Sequence, residues 1–203
     1  MPDLQIRKNF LWFIVLLNLT VLPVLYWRGH PALLHGKPRP SEPGLPVYGQ
    51  MPAFELTREN GQPLSNRQMT GSLWVTDFIF TRCPNQCPMM SSKFGTLQKT
   101  LPPGVRLASF SVDPEHDTPE ILRSYAQTYG ADASRWIFLT GGREAVRRIM
   151  NALHLGQEDD PGMHSLRFVL LDKELRVREY YDSEEAESLG KMRADIEQLR
   201  KHT

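Results

Sequence analysis

The chain has 203 residues, of which 24 are Lys or Arg and 23 are Asp or Glu, so its formal net charge is +1. This balance provides neither the basic excess typical of nucleic-acid binding nor an acidic tail. The 2 cysteines are too few for a disulfide-stapled scaffold. The length allows one ordinary domain with appendages, so the cysteine pair needs a local explanation.

A long apolar segment follows a short N-terminal stretch at 1–9. Residues 10–27 (FLWFIVLLNLTVLPVLYW) carry no charge. As a helix they would span about 27 Å, close to the roughly 30 Å hydrocarbon core of a bilayer. A cleaved signal peptide would have a shorter core and a small-residue cleavage site, whereas this core ends in Tyr26-Trp27-Arg28. We therefore expect one transmembrane helix, although basic residues on both sides leave its orientation open.

Proline is frequent in the next segment, residues 28–50, which shows little apolar periodicity. Such a composition predicts an extended, semi-rigid stalk. We expect the globular domain over residues 51–203.

Strand-like and helix-like patterns alternate through this domain. An alternating stretch at 54–57 precedes Asn60-Gly61, a strong hairpin-turn signal. The alternation predicts an α/β domain with a mixed central sheet and helices on both faces. Strands are expected at 73–80, 105–112, 136–139, 166–171 and 177–181, and helices at 89–101, 117–129, 143–155 and 184–200.

The cysteines, Cys83 and Cys87, lie in the run TRCPNQCP between the first long strand and its helix. Their spacing is close to one helical turn, so both sulfurs can face the same way. A helix N-terminus stabilises a thiolate, which is both the nucleophile and the metal ligand. A purely structural role, as a local disulfide or as two buried inert thiols, is the less favoured interpretation, since so small a ring removes little unfolded-state entropy. This position after a strand is thioredoxin-like, and it leaves redox and metal chemistry open.

A third ligand would distinguish the two chemistries. His116 follows a predicted strand end and could lie near the cysteines, whereas His154 is expected in the last turn of a helix. His164 is the best candidate, because it lies in a polar loop directly before a predicted strand, although a lone loop histidine can equally be solvated. Two thiolates and an imidazole form a soft, three-coordinate set that suits copper.

Several stretches resemble the Sco (SCO1/SenC) family of copper-binding, thioredoxin-like proteins that assist cytochrome c oxidase assembly. They are residues 78–90 (FIFTRCPNQCPMM), residues 109–120 (SFSVDPEHDTPE) and the histidine before the last strands, His164. The resemblance covers roughly residues 49–199, together with the layout of anchor and stalk. One departure is that Leu166 and Arg167 follow His164-Ser165, where the family often has threonine.

The resemblance implies a thioredoxin-like fold and a copper site formed by Cys83, Cys87 and His164. It implies that Asp113 lies near the site, where it would orient a ligand or accept a proton. The cargo would be Cu(I) and/or Cu(II). The partners would be the copper-site subunit of cytochrome c oxidase and an upstream copper donor. The family also places the domain outside the cytoplasm, which implies a single-pass protein of the bacterial inner membrane. Its N-terminal stretch at 1–9 would be cytoplasmic and its C-terminal domain would face the periplasm.

These features indicate a membrane-anchored copper chaperone, a binding protein rather than an enzyme. The alternative is a thiol-disulfide oxidoreductase that reduces cysteines of the oxidase subunit or acts in redox signalling. In that case one of Cys83 and Cys87 attacks and the other resolves, with no metal needed. His164 separates the two functions, because a copper site needs the imidazole and a dithiol reductase gains little from it.

Overall fold

The computed structural model describes residues 44–155 and 166–201. The expected anchor at 10–27, most of the expected stalk and His164 lie outside the described residues. Within the described ranges, no helix is long and apolar enough to cross a membrane.

The described chain alternates between strands and helices. A short 3-10 turn also spans Asn66–Gln68. In chain order the elements are β1 (Gly49–Gln50), β2 (Glu55–Arg58), β3 (Pro63–Ser65), β4 (Leu73–Ile79), α1 (Gln86–Thr100), β5 (Val105–Ser111), α2 (Pro119–Thr128), β6 (Trp136–Thr140), α3 (Arg143–Ala152), β7 (Arg167–Leu171), β8 (Arg176–Asp182) and α4 (Ala186–Lys201).

The strands form one mixed sheet in the order β1-β8-β7-β4-β5-β6-β2-β3. β4, β5 and β6 are parallel, with Ile79 opposite Ser111, whereas β7 runs antiparallel to β4, with Thr76 opposite Val169. The C-terminal ends of β4 and β5 therefore meet at one edge of the sheet, and the N-terminal end of β7 arrives at the same edge. The loops that follow β4 and β5 are neighbours for this reason.

Both faces of the sheet are covered. One apolar cluster contains Phe94 of α1, Leu122 of α2 and Ile196 of α4. The cluster on the opposite face contains Val146 and Ile149 of α3. Because β4 is buried on both faces, it reads as a nearly continuous apolar run rather than as an alternating one. The predicted mixed sheet with helices on both faces is confirmed.

Several boundaries differ from the sequence-based expectation. α1 begins at Gln86, three residues earlier than expected, so Cys87 lies inside its first turn. The sheet also includes Gly49 and Gln50, which we expected at the end of the stalk. Arg178 of β8 donates a hydrogen bond to the carbonyl oxygen of Pro46 (3.1 Å) and forms an ion pair with the buried Asp172 (2.8 Å). The pairing of β1 with β8 and the hydrogen bond from Arg178 to Pro46 attach this segment to the domain, and no apolar periodicity of the sequence predicts either contact.

Candidate metal centre

Cys83 and Cys87 lie together where β4 passes into α1. The N–H of Cys83 donates to the carbonyl oxygen of Phe80 (3.1 Å), and this bond closes a turn at the strand end. The N–H of Cys87 donates to the sulfur of Cys83 (3.3 Å). Both cysteines are buried, with Cys83 5% exposed and Cys87 0% exposed. The two sulfurs thus belong to one compact loop, as the spacing predicted, and Cys83 is the one that solvent reaches.

The two thiols differ in acidity. Burial alone would raise the pKa of Cys83, but hydrogen bonds from the residues of the helix start, led by the N–H of Cys87, outweigh burial and lower it. Burial raises the pKa of Cys87, and the negative charges of Cys83 and Asp77 raise it further. Cys83 is therefore the thiol that becomes a thiolate first.

Asp113, which the resemblance places near the site, lies in the loop after β5. Its carboxylate accepts two hydrogen bonds from Arg82, from Nη2 at 2.6 Å and from Nε at 3.1 Å. Arg82 is the residue directly before Cys83, and its side chain is 62% exposed, whereas that of Asp113 is 18% exposed. Asp113 thus contacts the cysteine loop through an arginine that sequence reasoning did not single out.

Asp117 is a residue of this site that sequence reasoning missed. Its buried carboxylate accepts hydrogen bonds from the N–H of Thr81 (3.1 Å), the hydroxyl of Thr81 (2.5 Å) and the hydroxyl of Ser111 (2.6 Å). The helix expected from residue 117 begins later, at Pro119, with Thr118 as its N-cap, so Asp117 lies in the loop before α2. The sequence signal that could have identified it is its position just after β5. Because β4 and β5 are parallel neighbours, the loops that follow them lie side by side.

The described part of the chain contains no group of three or more His, Cys, Asp or Glu side chains that could hold a metal ion. His116 lies in the turn after β5, where its N–H donates to the carbonyl oxygen of Asp113 (3.1 Å), and it does not complete a ligand set with the cysteines. His164 lies outside the described residues. Within the described ranges, no His, Asp or Glu side chain joins Cys83 and Cys87 in such a group.

The first described residue beyond the undescribed 156–165 segment is Leu166. It packs against the apolar cluster that contains Cys83 and Cys87. Its carbonyl oxygen accepts a hydrogen bond from the N–H of Ser183 (2.9 Å), so its backbone is held beside the end of β8. The chain therefore enters β7 on the side of the sheet where the two thiols lie.

Comparisons with known proteins agree with this architecture. The family model SCO1/SenC matches residues 47–201. The SCO1 protein homolog of Bacillus subtilis (strain 168) is 31% identical over 149 residues, which cover 69% of this chain and 77% of that protein. A protein of Stutzerimonas stutzeri named for copper binding is 36% identical over 115 residues, or 55% of each chain.

The solved structures include BsSco, described as a member of the Sco family of cytochrome c oxidase assembly proteins that has a disulfide switch. It is 28% identical, with a TM-score of 0.66 over 75% of this chain and 95% of that chain. This likeness confirms the predicted thioredoxin-like fold. Since the family model covers most of the residues, the chain belongs to the SCO1/SenC family.

Proposed function

We propose that this protein is a membrane-anchored copper chaperone that serves the copper centre of cytochrome c oxidase. The observation that carries the proposal is the placement of Cys83 and Cys87 in one loop, where the Cys87 N–H donates a hydrogen bond to the Cys83 sulfur (3.3 Å). Thiolates are soft ligands that select Cu(I) over hard cations such as calcium or magnesium. The family's role in oxidase assembly and the copper-binding relative support the choice of cargo.

His164 is the third ligand in this proposal. It stands two residues before Leu166, which packs against the cluster that holds both thiols. Two residues of chain span at most about 7 Å, so the backbone of His164 is tethered within that reach of Leu166. Because the described His116 does not join the cysteines in a ligand set, the tether also favours His164 among the histidines of the domain.

Asp113 acts on the site through Arg82. The ion pair at 2.6 Å holds the guanidinium beside the residue that precedes Cys83. We assign to Asp113 the orientation of this loop, or the acceptance of a proton from a thiol when copper binds. Metal binding to thiols releases protons, and a nearby carboxylate can accept one of them.

A copper titration tests the proposal. The purified, reduced protein, kept without oxygen, should bind one Cu(I) through sulfur and nitrogen, and the double variant Cys83→Ser/Cys87→Ser should lose that binding. A matched control is Ser91→Ala, which removes another small polar group from the buried face of α1. Absence of copper binding by the reduced wild-type protein, or equal affinity in the double variant, would contradict the proposal and favour a thiol-disulfide oxidoreductase.

The membrane anchor and topology are part of the same proposal. The uncharged stretch 10–27 would cross the inner membrane once, and the domain would face the periplasm, where it meets the oxidase subunit and a copper donor. A reporter fused after Thr203 should be active only in the periplasm, and the protein should stay with membranes after an alkaline wash. A soluble product that lacks the first residues would contradict the anchor.

A further inference from the structure

Arg82 is the one charged residue in the segment that carries the two thiols. Residues 81–89 read TRCPNQCPM and contain no other Lys, Arg, Asp or Glu. Arg82 directly precedes Cys83, the cysteine that solvent reaches, and its side chain is 62% exposed. Consecutive Cα atoms are about 3.8 Å apart, so a protein that takes copper from Cys83 must come close to this guanidinium group.

A closed ring of hydrogen bonds holds Arg82 in place. Nε and Nη2 of Arg82 donate to the Asp113 carboxylate, and the N–H of Asp113 donates to the hydroxyl oxygen of Ser111 (3.1 Å). The Ser111 hydroxyl donates to Asp117 (2.6 Å), which also accepts the N–H of Thr81 (3.1 Å). Because Thr81 and Arg82 are adjacent in the chain, the ring closes and fixes the position of the guanidinium. A side chain that is already ordered loses less conformational entropy when a partner binds it.

The positive member of the ion pair is the one that faces solvent. The Asp113 side chain is 18% exposed, against 62% for Arg82. The contact with Asp113 uses Nε and Nη2, which leaves the two N–H donors of Nη1 outside it. A carboxylate matches these donors in charge and in geometry.

The exposed side chains of the loop around Arg82 are uncharged. They are Pro84, Asn85, Gln86 and Met89. A partner that covers this loop therefore meets a neutral surface with a single positive charge, and that charge lies beside the thiol that solvent reaches. Electrostatic complementarity at such a surface needs one negative group in one defined place.

We propose that Arg82 binds a carboxylate of the protein that receives copper, and that this contact aligns the receiving protein with Cys83. Arg82 is then a residue that determines specificity, because it distinguishes a receiving protein that has the carboxylate from one that lacks it. The inference rests on the proposed function, because it needs copper to pass from Cys83 to a protein partner.

The rate of Cu(I) transfer tests the inference. The full-length, reduced protein is loaded with Cu(I) and mixed with the reduced, copper-free soluble domain of the oxidase's copper-site subunit, at low and at high concentrations of NaCl. Charges at an interface act mainly on the association rate, so Arg82→Gln should slow transfer at low salt by about 2–10-fold and weaken its dependence on salt. Arg82→Lys keeps the positive charge and should restore most of that dependence.

Two controls separate docking from other effects of the substitution. Arg147→Gln is the matched variant, because Arg147 also forms a 2.6 Å ion pair, its side chain is 67% exposed, and it lies on α3, which packs on the opposite face of the sheet. This variant should transfer copper at the wild-type rate. A small uncharged Cu(I) chelator replaces the subunit in the second control, and with it Arg82→Gln should be no slower than the wild type.

Equal rates of transfer to the subunit by the wild type and Arg82→Gln at low salt would overturn the inference. An equal slowing with the chelator would overturn it as well, because the substitution would then act on the copper site itself. If Arg82→Gln fails to fold, a wild-type rate that does not depend on salt would overturn it instead. Failure of the wild type to bind Cu(I) or to pass it to the subunit would count against the proposed function, whereas normal transfer that does not depend on Arg82 would count against this contact alone.

Discussion

The backbone N–H of Cys87 donates to the sulfur of Cys83 across 3.3 Å. This bond connects the first turn of α1 to the loop that follows β4. Its donor is a backbone N–H at the start of the helix, and its acceptor is the sulfur of Cys83. As a result the more exposed sulfur has the lower pKa, while the sulfur buried beneath it keeps its proton. The two cysteines are therefore close neighbours in space and unequal in chemistry.

This inequality predicts the order in which the cysteines react. With limiting iodoacetamide near neutral pH, Cys83 should be alkylated before Cys87, because its lowered pKa gives more thiolate at that pH. Peptide mapping by mass spectrometry measures the order. In the urea-unfolded protein the preference should disappear, since burial and the helix-start hydrogen bonds are lost. Equal labelling of both cysteines in the folded protein would contradict the assignment.

Asp117 should support the cysteine loop. Asp117→Asn replaces an oxygen that accepts hydrogen bonds with an amide that donates them, so at least one of the donors on Thr81 and Ser111 loses its partner. We expect the free energy of unfolding to fall by about 1–3 kcal/mol, as measured by urea denaturation. Glu144→Gln, which breaks an ion pair between side chains that are each 67% exposed, should stay within about 0.5 kcal/mol. Equal effects of the two variants would contradict the role of Asp117.

Asp113 should affect copper binding more than stability. Its partner Arg82 is mostly exposed, and ion pairs of this kind contribute about 1 kcal/mol or less. Asp113→Asn should therefore leave urea unfolding almost unchanged but weaken Cu(I) binding measured by competition with a chelator. Glu115→Gln is the control, because Glu115 forms a 2.9 Å ion pair with Arg143 in which both side chains are exposed. If both variants bind copper like the wild type, Asp113 has no part in the site.

Asp77 should make the stability of the fold depend on pH. Burial raises its folded pKa to about 7, above its ordinary value of 3.8, so the folded protein binds more protons than the unfolded chain between these values. The stability contributed by this group is present below that range and is lost as the pH rises through about 7. Asp77→Asn lacks this loss, so its free energy of unfolding relative to the wild type should increase from about pH 4 to about pH 8.

Urea denaturation across this pH range measures the effect, with Thr76→Val as the control because Thr76 is the neighbouring buried residue of β4. The difference in unfolding free energy between Thr76→Val and the wild type should be the same at every pH, because no titratable group is changed. A pH-independent difference for Asp77→Asn as well would show that the buried carboxyl group does not titrate as expected.

Much of this architecture could be predicted from the sequence, because its main signals are local. The apolar run of β4 and the Asn60-Gly61 turn each reflect neighbouring residues, and the cysteine spacing follows from helical geometry. The contacts of Asp117 and Arg82 could not be predicted in this way. They depend on two parallel strands that end at the same edge of the sheet, which is a relation between residues 36 and 31 positions apart.

The attachment of β1 and of the residues before it to the sheet could not be predicted from the sequence either. β1 pairs with β8 through backbone hydrogen bonds, and the side chain of Arg178 donates a hydrogen bond to the carbonyl oxygen of Pro46. Backbone hydrogen bonds leave no trace in side-chain periodicity. Proline-rich composition predicted an extended segment there, and an extended segment can equally pair with the edge of a sheet.

The most direct test of the copper site is the Cu(I) affinity of His164→Ala, compared with that of His116→Ala. Chelator competition on the reduced protein should show that His164→Ala binds copper at least 10–100-fold more weakly, roughly the loss that supporting changes at metal sites already produce. His116→Ala should bind like the wild type, since His116 does not gather with the cysteines. Wild-type affinity in His164→Ala would remove the histidine from the site and contradict the three-ligand account.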